Sequence, residues 1–148
     1  MNDTTHYMAT FDLQAVLPLP KSEVGTFYYK RRLSVYNFTI HSGADKEVDC
    51  YLWSEIDGNR GASEIGSCLL KHLMCLNARI KTVDFFSDAC GGQNRNQFIA
   101  AVLLYAVQVT TIEEIRLHFL ESGHTHMECD SVHSAIEFRQ KNLSVYSV

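Results

Sequence analysis

The stretch FFSDACGGQNRN, Phe85 to Asn96, ends an apolar run in an aspartate, follows it with two glycines and closes on an amide-rich cluster. The apolar run FIAAVLLYAV, Phe98 to Val107, comes next. RIKTVDFFSD therefore reads as a strand ending at Asp88, and RNQFIAAVLLYAVQ as a helix. Three roles are open to Asp88: a turn residue, a neighbour of a phosphate cradle on the backbone of Gly91 and Gly92, or a metal-binding carboxylate.

Working outward, ASEIGSCLLKHLMCL sets Ile65, Leu69, Leu73 and Leu76 at helical spacing. Downstream, EIRLHFLES is a strand, GHTHME a loop and CDSVHSAIEFRQK a last helix with Val132 and Ile136 on one face. Upstream, HYMATFDLQAV has strand character and carries Asp12. GTFYYKRRLSVYNFTIH (25–41) is rich in residues suited to a pleated surface, and EVDCYLWSE (47–55) alternates with period two. VLPLPKSEVG reads as a loop, because Pro18 and Pro20 lack a ladder donor. The first three strands form an antiparallel meander in this reading. The order β-β-β-α-β-α-β-α predicts an α/β fold: a mixed five-stranded sheet, three antiparallel strands followed by parallel ones, flanked by helices.

A chain of 148 residues is expected to form one domain, 1–148. With 46% apolar and 20% charged residues it can bury an ordinary core. The run 98–107 is too short to span a bilayer and fits a buried helix, so no membrane partner is expected. MNDTTHYMAT lacks the basic start and apolar centre of a signal peptide, so the five cysteines are expected to be reduced intracellular thiols. The net charge of -4 argues against a strongly basic nucleic-acid binder, but not against an acidic site whose cations offset the carboxylates.

Four acids stand out. Asp12 interrupts an apolar strand, Asp88 ends one, Glu64 lies in the first turn of the first helix and Asp130 opens the last. Each has a plain structural role: an edge residue, a turn cap, a charge complementing a helix dipole, a first-turn acid. Gathered together, they would repel unless cations paired them, and hard oxygen ligands suit Mg²⁺ or Mn²⁺. Two such ions would clamp the attacking and leaving oxygens of a phosphoryl displacement.

In ATFDL, GNRGASEIGSCLL, FFSDACG and SGHTHMECDSVHSAIE the chain resembles the ribonuclease H-like superfamily, which includes integrases and DDE-type transposases. More narrowly, SDACGGQNRNQFI and SGHTHMECDSVHSAIE resemble a transposon-associated domain of animal, especially insect, genomes. The likeness covers Tyr7 to Lys141. It implies a metal-dependent nuclease or transposase domain with Asp12, Glu64, Asp88 and Asp130 as metal ligands around Mg²⁺ or Mn²⁺. His124 would aid product departure. It also implies a nucleic-acid substrate, DNA ahead of RNA, a nuclear location by analogy, and a chain that is a fragment or bare core of a longer transposase-like protein. A catalytically inactive, domesticated binding domain is the alternative.

Other signals are weaker. GGQ also occurs in class I release factors, but there on an exposed loop of a basic protein. The Walker and GxGxxG patterns are absent, so Gly91 and Gly92 are expected to permit a tight turn. Gln93, Asn94 and Asn96 suit backbone contacts with nucleic acid or helix capping. His124, His126, Glu128, Cys129 and His133 form a zinc-like cluster of no standard spacing. His133 follows Asp130 by three positions and shares its helix face, with Glu137 one turn on. Lys30, Arg31 and Arg32 suit a phosphate backbone or a solvated strand edge.

Overall fold

The computed structural model describes residues 4–19, 32–121 and 126–141. Its elements run β1 (His6–Leu13), β2 (Leu17–Leu19), β3 (Leu33–Ser42), β4 (Val48–Ser54), α1 (Ala62–Cys75), β5 (Thr82–Asp88), α2 (Gln97–Val109), β6 (Glu114–Leu120) and α3 (Glu128–Lys141). The fold is α/β with one mixed sheet. β3 pairs antiparallel with β1, β2 and β4, whereas β5 pairs parallel with β1 and β6. The path across the sheet is β4-β3-β1-β5-β6, with β2 continuing the line of β1 along β3.

Among the described residues the sheet has six strands rather than five, because Leu17–Leu19 of VLPLPKSEVG is a strand. Pro18 faces solvent between Leu17 and Leu19, which bury against Val35 with Ile136 of α3 packed on them. A three-residue strand with its proline exposed keeps the ladder to β3, which is where strand prolines are tolerated.

Side-chain alternation splits the sheet into two unlike faces. Ala9, Phe11, Leu13, Phe38, Ile40, Val83 and Phe85 point to one face and join Ile65, Leu69 and Leu73 of α1 and Ile99, Leu103 and Ala106 of α2 in a single core. Phe11 stands at its centre, with ring centroids 5.5 Å from Phe38 and 5.6 Å from Phe85. The other face carries Thr10, Asp12, Asn37 and Thr39, and α3 lies over it. Further across that face Asp84 ties three strands: its carboxylate meets His6 Nε2 at 2.5 Å, His118 Nε2 at 2.6 Å and Arg116 Nη1 at 3.4 Å. Burial opposes its charge, but the two histidine bonds and Arg116 hold the carboxyl below its ordinary value.

α2 is only half buried. Ile99, Leu103 and Ala106 enter the core, while Phe98, Leu104 and Tyr105 are exposed. α1 covers one flank; the other borders an open apolar groove against Ile115, Leu117 and Phe119 of the edge strand β6. The expected fully buried helix is therefore corrected: the sheet ends at β6 and supplies no further layer among the described residues.

α1 and α2 meet across Gly66. A Cβ there would stand 3.1 Å from Phe98 Cε1 and 3.2 Å from Val102 Cγ2. Gly91 and Gly92 differ. A Cβ at Gly92 meets nothing within 4 Å, and neither glycine adopts the left-handed backbone, so the expected glycine-dependent turn is not what holds this loop. Gly66→Val is expected to cost about 1–3 kcal/mol by overpacking, and Gly92→Ala to stay within about 0.5 kcal/mol of the parent. Urea unfolding of both variants checks the contrast.

Candidate functional site

Residue register brings the first two acids to the same end of the sheet. β1 and β5 pair parallel from His6 against Thr82 to Thr10 against Phe86, and Asp12 and Asp88 each follow two residues beyond that last pair, near enough for the charge of Asp88 to act on Asp12. Both lie at the carboxyl ends of their strands, on the face that α3 covers. The loop after β5 closes around Asp88. Asp88 Oδ1 accepts from Asn94 Nδ2 at 2.5 Å and Cys90 N at 3.3 Å, and the N–H groups of Gln93, Asn94 and Arg95 all reach the Cys90 carbonyl. Asn96 caps α2, its Oδ1 accepting from Ile99 N at 3.0 Å. The loop is thus organised by side-chain bonds from Asp88 and Asn96.

α3 is held down by polar contacts. Cys129 is fully buried, with its Sγ 3.5 Å from the Thr10 carbonyl and 3.7 Å from that of Thr39. Gln14 Nε2 donates to the His133 carbonyl at 3.1 Å, and Asn37 Nδ2 donates to Gln14 Oε1 at 3.0 Å. His133 Nε2 lies 3.0 Å from Thr39 Oγ1. This chain fixes the first two turns of α3 over β1 and β3, so Asp130 and His133 face Asp12.

One ligand atom from each of Asp12, Asp130 and His133 lies within 4.8 Å of the other two. Ligands at about 2.1 Å from an ion stand about 3 to 4 Å apart, so a small contraction closes this group on a cation. His133 Nδ1 is 3.9 Å from Asp12 Oδ2. With Nε2 protonated and donating to Thr39, Nδ1 turns its lone pair toward that carboxylate; a proton or a cation between them relieves the repulsion. Burial holds the His133 ring below its ordinary pKa, opposed by Asp130 and Glu137. Each acid spends one oxygen locally: Asp12 Oδ1 on Leu13 N at 2.9 Å, Asp130 Oδ2 on Met127 N at 2.9 Å, Asp88 Oδ1 as above. Turn or cap duty and ligand duty therefore coexist in the same side chains.

Asp12 is the most perturbed acid. Burial pushes its carboxyl up to about 6, and the charges of Asp88 and Asp130 add to the rise. The Leu13 N–H and the Arg60 guanidinium oppose it. Arg60, from the loop before α1, reaches the Gln14 carbonyl at 3.3 Å and is the cation of the site. Arg60 carries no signal in GNRG that sets it apart, and Asn94, expected to contact a nucleic-acid backbone or cap a helix, instead donates to Asp88.

Glu64 stands apart from the group of three. Its Oε1 accepts from Asn59 N at 2.9 Å, and its side chain packs against Gly58 and Gly61. His124, Lys30 and Arg31 lie outside the described residues; Arg32 is exposed. Glu137 Oε1 is 3.4 Å from Gln14 Nε2. Cys129, on the sheet-facing side of α3, turns its thiol to the Thr10 and Thr39 carbonyls, and burial raises the thiol to about 11. All five cysteines are unpaired. No helix among the described residues is long and apolar enough to cross a membrane.

Residues 36–148 match the model of a family described as a domain of unknown function (DUF7869), and that span makes the chain a member of the family. The matched span contains Glu64, Asp88, Asp130 and His133, whereas Asp12 precedes it. No curated protein matches the chain.

The folded pKa of Asp12 lies above its unfolded value, so folding favours its protonated form. That contribution is full below about pH 4 and is lost as pH rises through about 6. Asp12→Asn removes the loss. In chelator, the variant is expected to exceed the parent in unfolding free energy at pH 7 by on the order of 1 kcal/mol, the partial exposure of the group reducing the figure. At pH 4 the two should coincide. Urea titrations at both pH values measure the difference.

Proposed function

Starting from membership of a family with no stated activity, we propose that this chain is a ribonuclease H-like, metal-dependent domain acting on nucleic-acid phosphodiester bonds, in the manner of a nuclease or transposase. One observation carries the reading. Acids from β1 and the start of α3 converge with a histidine that burial keeps neutral, and the β5 acid Asp88, outside that group of three, lies near enough for its charge to act on Asp12. The sheet path supports it: among the described residues β3 alone runs against the other long strands, and α3 alone covers the face opposite α1 and α2.

Asp12, Asp130 and His133 Nδ1 would hold a first ion, Mg²⁺ or Mn²⁺. Asp88, with one oxygen uncommitted, flanks it and offers a place for a second. When bound, the ions supply an activated water and charge stabilisation at the leaving oxygen. The chain's own part is positional: Asn94 aims Asp88, Thr39 aims His133, and Arg60 offers a guanidinium for a substrate phosphate. DNA is the favoured substrate and the nucleus the favoured compartment, both by analogy with transposases. Glu64 assists from outside the group through the 58–61 loop.

A second reading draws on the partial commitment of the acids. Glu64 and one oxygen each of Asp12, Asp88 and Asp130 are already bonded within the protein. A domesticated scaffold that binds one ion and nucleic acid without cleaving it needs no more than this.

Labelled duplex DNA, single-stranded DNA and an RNA–DNA hybrid are incubated with Mg²⁺ or Mn²⁺. Cleavage is expected to fall at least about 100-fold in Asp12→Asn and in Asp130→Asn, since even the outer partners of metal ligands are worth 10–100-fold. Glu64→Gln, which keeps the Asn59 acceptor, is expected to fall less than about tenfold. Full activity in Asp12→Asn refutes the assignment. Ion binding without cleavage of any substrate favours the scaffold.

Ion affinity follows the proton on Asp12. Below about pH 6 each unit of acidity is expected to weaken Mn²⁺ binding about tenfold, because one proton must leave for the ion to enter. Calorimetry across pH 5–8 tests this, and a flat profile contradicts ligation by Asp12.

A further inference from the structure

We propose that the cavity between the β3–β4 turn and the C-terminal half of α1 is a second binding site, one that receives a primary ammonium group. It goes beyond the metal site and shares no residue with it. Tyr7 and Asp12 lie five positions apart on β1, about 17 Å at strand rise, and point to opposite faces of the sheet.

The cavity holds about 270 Å³ and is bordered by Tyr7, Ser42, Asp45, Glu47, Asp49 and His72. A hydrogen-bonded chain forms its back. His72 Nδ1 is 2.9 Å from Asp49 Oδ2, and His72 Nε2 is 2.9 Å from the Tyr7 hydroxyl. Burial holds the His72 ring below its ordinary pKa, so the neutral ring donates to Asp49 and accepts from Tyr7, which leaves the lone pairs of the phenol oxygen for a donor.

Ser42 is the observation that points to a ligand. It is 3% exposed, it lines the cavity, and its Oγ has no hydrogen-bond partner. Its hydroxyl lies near enough to the Tyr7 phenol to favour ionisation of that group, but outside hydrogen-bonding geometry. A buried hydroxyl left without a partner is costly, and a donor arriving from the cavity would satisfy it.

The charge at the mouth selects the donor. Burial pushes the Tyr7 hydroxyl up to about 12, and the charges of Asp49, Asp45 and Glu47 at the mouth add to the rise. Among the described residues no lysine or arginine pairs with any of the three carboxylates. An ammonium group offers three donors and a compact charge, matching two hydroxyl oxygens inside and carboxylates outside. An anion would meet only repulsion. The ammonium can come from a free diamine or from a lysine side chain of a protein.

The test uses the whole chain and two probes, putrescine and Nα-acetyl-lysine methylamide, followed by NMR. Saturable shifts at Ser42, Tyr7 and His72, with those of Asp12 and His133 unmoved, are expected. Ser42→Ala should weaken binding at least about fivefold, one hydrogen bond's worth, and Asp49→Asn at least about tenfold. Tighter binding of putrescine identifies a free amine, and tighter binding of the lysine analogue a protein side chain. No saturable shift with either probe, or shifts of these residues by Mg²⁺ alone, overturns the proposal. Ser42→Ala removes only a hydroxyl, so it stays informative should Asp49→Asn fold poorly. Asp12→Asn, which abolishes the proposed metal chemistry, is expected to bind both amines unchanged, so failure at one site is separable from failure at the other.

Discussion

The parallel pairing of β1 with β5 is the constraint on which the site depends. Strand side chains alternate with period two, so the register that sends Phe11 and Phe85 into the core also sends Asp12 and Asp88 to the opposite face, at the same end of the sheet. A slip of one residue would bury two carboxylates among phenylalanines. The aromatic core therefore fixes the positions of the acids, and it does so although their proximity is unfavourable. The pKa of Asp12 records that cost: burial first, then the neighbouring acids.

What was legible in the sequence followed from short-range physics. The strand at 82–88 and the helix after Asn96 announced themselves through alternation, an apolar period and a cap, and the structure has them there. Errors came where a local signal depends on distant partners. Pro18 argues against a strand, yet one exposed proline between two buried leucines is compatible with an edge ladder. The run Phe98–Val107 is apolar on every side, and only the sheet's end at β6 decides that one side lies open. The paired glycines look like the reason for the turn, while the bonds that make it belong to Asp88, Asn94 and Asn96.

The candidate site divides the same way. Asp88, at a strand's carboxyl end, and Asp130, in a helix's first turn, carry position-specific signals. The i, i+3 spacing puts His133 on the Asp130 face. That Thr39, ninety-four positions away in sequence, orients the ring is invisible without the sheet. Glu64 shows the converse: its place early in α1 is readable, but the side chain's direction is set by a backbone N–H at Asn59 in a loop with no periodic pattern.

The two faces of the sheet suggest why the last helix is built as it is. α1 and α2 dock through leucine, isoleucine and alanine, where one face is interchangeable with another of similar shape. α3 docks through a thiol, a histidine and the amide of Gln14, which Asn37 holds in turn, contacts that tolerate little sliding because their donors and acceptors sit at fixed points on β1 and β3. An apolar helix shifted by half a turn would still bury its surface; α3 shifted by half a turn would strand several buried polar groups. Polar docking thus specifies the rotation of α3, and that rotation decides whether Asp130 and His133 face Asp12. A cation bridging β1 and α3 would bind only the docked arrangement and would stabilise it in turn. Folding and the assembly of the acid site are then two aspects of one equilibrium.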